Sequence, residues 1–191
     1  MNPNPITLDF PDHFETSRLL IRAPRAGDGA QLNAAVHESW EELRIWMPWA
    51  KTLPSLEESE ANLRQAAARW IERSDLRLNL FSKATGELVG GSGLHRIDWN
   101  VPRMEIGYWQ RTKFCGQGLM TEAVRAIAAF ALEELGAQRV EICCDARNEP
   151  SRRVAERAGF GLEATLRNHA RDNQAQLHDT LIFTRFPAGD A

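Results

Sequence analysis

Cys115-Gly116-Gln117-Gly118 is the stretch of this chain whose residue types and spacing fit a definite chemistry, the holding of phosphate. Glycines let a main chain bend sharply and come close to a ligand. An amphipathic pattern opens directly behind it. Met120, Ala123, Val124, Ile127, Ala128, Ala131 and Leu135 recur at three- and four-residue steps, the period of a helix with one buried face. The first N–H groups of a helix have no partner within it, and the helix dipole adds partial positive charge there, so a phosphate satisfies both. Two familiar phosphate loops fail here. A Walker loop needs Lys-Ser/Thr after its second glycine, and Leu119-Met120 stands there instead. The dinucleotide fingerprint needs a third glycine where Thr121 stands. On spacing alone, a ligand loop and a plain turn with helix-cap glycines both remain open.

The elements that must position this loop follow from the patterning. Met104–Trp109 is apolar and aromatic and belongs to a strand over Arg103–Gln110. Arg18–Arg22 is the first strand, Gly27-Asp28-Gly29 breaks it, and a helix runs through Ala30, Leu32, Ala35 and Val36. Pro48 ends any helix in Ser39–Trp49, because it disfavours helical angles in the residue before it. Pro54-Ser55 followed by Glu57-Glu58 starts another helix, with Leu63, Ala66, Ala67, Trp70 and Ile71 as its buried stripe. Arg77–Ser82 and Glu87–Ile97 form a hairpin around Thr85-Gly86. After the central helix come a strand over Arg139–Cys144 and a helix over Pro150–Ala158 capped by Gly159. Strands Phe160–Ala170 and Gln176–Phe186 close the chain. Strands, helix, strand, helix, strands imply a mixed sheet with a right-handed crossover at its centre.

The 191 residues suit one domain with a real core, and no repeat or linker divides them. Residues 1–14, with three prolines, read as a loose leader before a single domain over 15–187. A net charge of −3 gives no global attraction for nucleic acid or an anionic membrane. No apolar run approaches a membrane span, and Met-Asn-Pro-Asn-Pro lacks the basic and apolar regions of a signal peptide. Cys115, Cys143 and Cys144 are odd in number and lack ligand spacing, which points to free thiols in a cytoplasmic protein. The five histidines show no metal spacing either, so no metal site is expected. Trp70 reads as core, whereas Arg44-Ile-Trp46-Met-Pro-Trp49 breaks the helical period.

Lys113-Phe-Cys-Gly116-Gln-Gly118 resembles the Arg/Gln-x-x-Gly-x-Gly/Ala acetyl-CoA loop of the GNAT acetyltransferase superfamily, with Lys replacing the usual first residue. Glu105-Ile-Gly-Tyr-Trp109 precedes it and Thr121-Glu122-Ala123 follows it. With Asn148-Glu-Pro-Ser151 and Ala158-Gly159-Phe160, the whole resembles the branch named for the RimJ and RimL protein N-terminal acetyltransferases, from about Glu15 to Phe186. The resemblance implies an α/β (α+β) acyl-CoA N-acyltransferase fold. Its mixed, mostly antiparallel sheet of about seven strands splays at the centre and is flanked by helices.

The resemblance also implies a set of roles. Acetyl-CoA would lie along Ile106, Gly107, Tyr108 and Trp109. It would then meet the loop of Lys113, Phe114, Cys115, Gly116, Gln117, Gly118, Leu119, Met120 and Thr121, and finally Asn148, Ser151 and Arg152. Transfer to an amine needs that amine neutral, although an α-amino group has a pKa near about 8 and lysine near about 10. Glu105 is the candidate base, directly or through water, with an ion pair to Arg103 or Arg96 as the structural alternative. Ser151 is the candidate partner of the departing sulfur, and a main-chain N–H near Ile106–Trp109 would meet the oxyanion. Trp46, Trp49, Glu105 and His178 would border the acceptor, and Cys115 would be structural. The expected acceptor is a protein N-terminal α-amine, of the ribosomal-protein type. A small-molecule amine acetyltransferase and a non-catalytic CoA-binding module stay as alternatives, since one fold serves many acceptors. The chain is expected to be a monomer or homodimer.

Overall fold

The computed structural model describes residues 4–189, so leader residues 1–3 lie outside what is described. Eight strands form one sheet in the order β1-β2-β3-β4-β5-β6-β8-β7. They are β1 (His13–Glu15), β2 (Leu19–Arg22), β3 (Leu76–Ser82), β4 (Leu88–Asp98), β5 (Arg103–Gln110), β6 (Arg139–Asp145), β7 (Gly161–Arg171) and β8 (Leu177–Arg185). All neighbours are antiparallel except β5 and β6, which are parallel and joined by the crossover helix α4 (Leu119–Ala129). The remaining helices are α1 (Gly29–Glu38), α2 (Trp40–Trp46), α3 (Leu56–Glu72) and α5 (Glu149–Arg157).

Helices α3 and α5 start at side-chain caps. Ser55 caps α3 and Glu58 answers it in a reciprocal capping box. Asn148 caps α5 through its side chain. α4 begins instead at Gly118, in a left-handed conformation with no side-chain cap. Its buried face is the predicted stripe from Met120 to Ala131, while Leu135 lies only partly buried beyond a π-helical turn over Phe130–Glu134.

Two apolar layers sandwich the sheet. Leu76, Leu78, Leu80, Met104 and Ile106 pack on one face with Ala123, Val124 and Ile127 of α4 and Ala155 of α5. Phe81, Leu88 and Trp109 pack on the other with Leu32, Leu43 and Leu63 from α1, α2 and α3. Trp70 is buried as expected, but Ile71 is 67% exposed, because the buried stripe of α3 runs through Leu63, Ala66 and Trp70 and the next position turns away from it.

The leader is not loose where it is described. Residues 13–15 pair with β2 as the eighth strand, against the seven expected. Phe10 meets the edges of Trp70 and Phe130, and Phe14 stacks on Phe130 at 4.9 Å. These aromatics bury surface that prolines nearby do not advertise, and that burial fixes the segment.

The expected central splay is present. β5 and β6 pair over only three positions, Arg103↔Arg139, Met104↔Val140 and Glu105↔Glu141. β5 continues along β4 to Gln110 and β6 along β8 to Asp145, so beyond Glu105 the two strands follow separate partners.

Candidate active site

The helix mouth comes first. Gly116 and Gly118 have φ of +77° and +74°, which favours glycine at both. The first main-chain bond of α4 runs from Glu122 N–H to Gly118 O at 3.1 Å. The helix therefore supplies no acceptor for the N–H groups of Leu119, Met120 and Thr121. Leu119 and Met120 bury their side chains, at 5% and 3% exposure, and can offer a ligand only main-chain groups. An open helix N-terminus behind a glycine turn fits a pyrophosphate.

This turn is braced from behind. Glu122 accepts hydrogen bonds from the Thr16 hydroxyl (2.6 Å), the Ser17 hydroxyl (3.0 Å), and the main chain (3.0 Å) and guanidinium (2.6 Å) of Arg18. Burial pushes this carboxyl up, but the hydrogen bonds from Thr16, Arg18 and Ser17 outweigh it and hold the pKa at about 2. Arg18 also donates to Gln117 O at 2.9 Å, tying the loop itself to the start of β2. The Gln117 side chain donates to Lys113 O at 3.2 Å. Lys113 is paired with Glu87 and lies over the Phe114 ring, and Arg152 is paired with Glu156 at 2.9 Å. Both basic side chains thus have carboxylate partners. Burial, then Glu42, pushes the Cys115 thiol up, which leaves it a poor nucleophile.

The splay carries the next group of predicted residues. Tyr108 donates from its phenol to Ser151 O at 2.8 Å, and the Ser151 hydroxyl donates back to the phenol oxygen at 3.1 Å. Burial raises the Tyr108 pKa, so the phenol stays protonated. Asn148 Oδ1 accepts from Ser151 N–H at 3.1 Å, which fixes the first turn of α5. Glu105 sits at the fork, ion-paired with Arg96, the second of the two arginines expected as partners. Beside it, burial and the charges of Glu105 and Glu141 push the Cys143 thiol up to about 12, so it stays protonated and inert.

From the fork a cleft of about 1,070 Å³ extends across the sheet face that α1–α3 cover. Trp46, Trp49, Glu105 and His178 all line it, as do Ile106–Trp109, Asn148 and Ser151. Trp49 is half exposed and meets the edge of Trp109 at 6.2 Å. The C-terminal end of α2, which carries Trp46, is pinned by Asn173 of the β7–β8 turn, which donates to Arg44 O and Met47 O at 2.9 Å each. His178 Nδ1 lies 3.4 Å from Asp145 Oδ2, a contact that sets the cleft wall.

Sequence reasoning missed the floor of this cleft. Gly93 and Gly107 are register partners, and Gly91 pairs with Trp109. A Cβ on Gly91 would lie 2.6 Å from Trp109 Nε1, and one on Gly93 2.9 Å from His95 Cε1. A Cβ on Gly107 would lie 3.2 Å from His95 Cδ2. These glycines let two rings lie flat across the strands. The signal was present as Gly90-Gly91-Ser92-Gly93, a run too glycine-rich for an ordinary strand. The Thr16–Arg18 brace on Glu122 left no comparable signal.

The family model for the Acetyltransferase (GNAT) domain matches residues 18–161. The chain therefore belongs to the GNAT acetyltransferase family. It is 30% identical over 166 residues to the Bacillus subtilis (strain 168) protein named "Putative ribosomal N-acetyltransferase YdaF", covering 86% of this chain and 88% of that one. It is 28% identical over 127 residues to the "Ribosomal-protein-serine acetyltransferase" of Escherichia coli (strain K12), covering 65% and 70%. The structure of RimL, a ribosomal L7/L12 alpha-N-protein acetyltransferase in complex with coenzyme A, superposes with a TM-score of 0.84 at 23% identity. That match covers 92% of this chain and 97% of RimL and bears on the fold.

Proposed function

We propose that this acetyltransferase uses acetyl-CoA to acetylate the N-terminal α-amine of a protein or peptide, of the ribosomal-protein type. The observation that carries the reading is a junction. An open helix mouth suited to pyrophosphate leads through the β5–β6 fork into a cleft of about 1,070 Å³. The relatives named for ribosomal substrates support the acceptor class. Acetyl-CoA supplies an activated thioester; the protein's residues bind, orient and exclude water.

In this reading residues 15–187 make the catalytic domain. The N–H groups of Leu119, Met120 and Thr121 hold the pyrophosphate, with Gly116, Gln117 and Gly118 shaping the turn. The main chain of Ile106–Trp109, left without a β6 partner, bonds the pantetheine arm as an added strand would. Asn148 orients the first turn of α5, and Ser151, backed by Tyr108, hydrogen-bonds the departing sulfur. Trp46 and Trp49 wall the acceptor.

The charge of the cleft favours a peptide over a polycation. Each carboxylate lining it already has a partner: Glu58 accepts from Ser55, Asp75 lies against His95, Glu105 pairs with Arg96, and Asp145 and Asp172 pair with Arg147. A polyamine or aminoglycoside would find few free acidic groups. The test is CoA thiol release from acetyl-CoA over N-terminal peptides, lysine peptides, polyamines and aminoglycosides, with mass spectrometry of the products. Release with N-terminal peptides alone supports the reading. Release only with small amines overturns the acceptor class, and no release on any acceptor overturns the catalytic reading.

A further inference from the structure

His95 lines the acceptor cleft with His169 and His178. It is the one of the three whose ring hydrogen-bonds a carboxylate; His169 meets the Thr180 hydroxyl and His178 the Asp179 carbonyl. His95 stands on β4 directly opposite Glu105 of β5, so the two side chains share the cleft face. Its ring spreads over Gly93 and Gly107, close enough that a Cβ on either would crowd it. Nδ1 is 2.7 Å from Asp75 Oδ2. An ionised carboxylate only accepts hydrogen bonds, so the shared proton sits on Nδ1. Nε2 is thereby left with its lone pair. Of the two ring nitrogens it is the nearer to the Gly107 Cβ position, at 3.5 Å, two residues past the last β5–β6 pair.

Glu105, the carboxylate expected to serve as base, is already engaged by Arg96. A carboxylate is ordinarily a weaker base than a neutral imidazole. We propose that His95, oriented by Asp75, takes the proton from the acceptor amine, and that Glu105 serves to hold Arg96 and shape the fork. This rests on the acetyltransferase reading above.

The proton balance is simple. As the C–N bond forms and the C–S bond breaks with its electron pair on sulfur, one amine proton passes to His95 Nε2. The imidazolium is stabilised by Asp75 and releases the proton to solvent, while an equivalent solvent proton neutralises the thiolate. Amine and thioester thus give amide and thiol with no net proton change. His95 is a catalytic residue in this scheme, and Asp75 a positioning residue.

The test uses the full chain and the acceptor that gives the most CoA release. His95→Gln should lower kcat about 100-fold, the scale of a lost general base, with acetyl-CoA Kd within about twofold of wild type. In His95→Ala, added imidazole should restore activity at least about tenfold. Asp75→Asn should lower kcat about tenfold with little change in KM. A His95→Gln rate within about threefold of wild type overturns the proposal, whereas a wild type inactive on every acceptor overturns the acetyltransferase reading instead. One readout needs no turnover. Nitrogen-15 NMR of the neutral His95 ring should show the Nδ1–H tautomer, lost in Asp75→Asn, and an Nε2–H tautomer in wild type overturns the proposal.

Discussion

Helices α3 and α4 begin in opposite ways. At α3 the Ser55 hydroxyl accepts from Glu58 N–H at 3.1 Å, and the Glu58 carboxylate accepts from Ser55 N–H at 2.7 Å. The chain closes that end with its own side chains. At α4 the cap is Gly118, which has no side chain to offer, and the nearest acid, Glu122, is pulled behind the turn by Thr16, Ser17 and Arg18. An acid free in the first turn would fold back on the N–H groups and compete with a phosphate. One helix end is closed by the chain's own side chains, and the other is left without a side-chain cap.

Closing the open end should have the largest effect. Gly118→Glu places a carboxylate against the pyrophosphate position, and acetyl-CoA affinity by calorimetry should fall more than about 100-fold. The same change forces a non-glycine residue to φ near +74°, with a stability loss of about 1 kcal/mol. Unchanged affinity would break the comparison outright. Next is α5, whose mouth is closed by Asn148 yet presents Ser151. Ser151→Ala should lower kcat about tenfold and leave acetyl-CoA Kd within about twofold; an unaltered rate removes Ser151 from the chemistry.

The brace on Glu122 gives a pH signature. Its folded pKa of about 2 lies below the ordinary 4.5, so its contribution is present above pH 4.5 and fades as pH falls toward 2. Arg18 is half exposed, so solvent screening reduces the contribution to about 2 kcal/mol. Denaturant melts from pH 5 to pH 2 should show wild type losing about that much more stability than Glu122→Gln; parallel curves would show the brace to be idle. Smallest is Ser55→Ala at the closed end. It should cost about 1 kcal/mol in urea unfolding and leave acetyl-CoA affinity untouched.

Order of elements and the contiguous part of the site were legible because both are local in sequence. The α4 stripe, the Ser55 start and the Cys115–Gly118 turn each announce themselves within a few residues. Trp46, Trp49, Glu105 and His178 were found by likeness to a family, and the structure lines one cleft with all four. What stayed hidden is made by register. Asp75 meets His95 across 20 positions and Arg18 meets Glu122 across 104, and no periodicity reports such meetings. Lys113 and Arg152 were placed at the cofactor by the same likeness, and the structure pairs them with Glu87 and Glu156.

The three-residue contact between β5 and β6 has a mechanical meaning. β1–β5 and β6–β8 are each joined by antiparallel pairing, and in the sheet of the described residues only Arg103–Glu105 against Arg139–Glu141 joins one half to the other. That short seam is the sheet's link between its two halves. An extended molecule lodged beyond Glu105 would grip both halves at once and act as a rivet, so its loading should slow amide exchange on β5 and β6 together and raise the melting temperature of the whole protein.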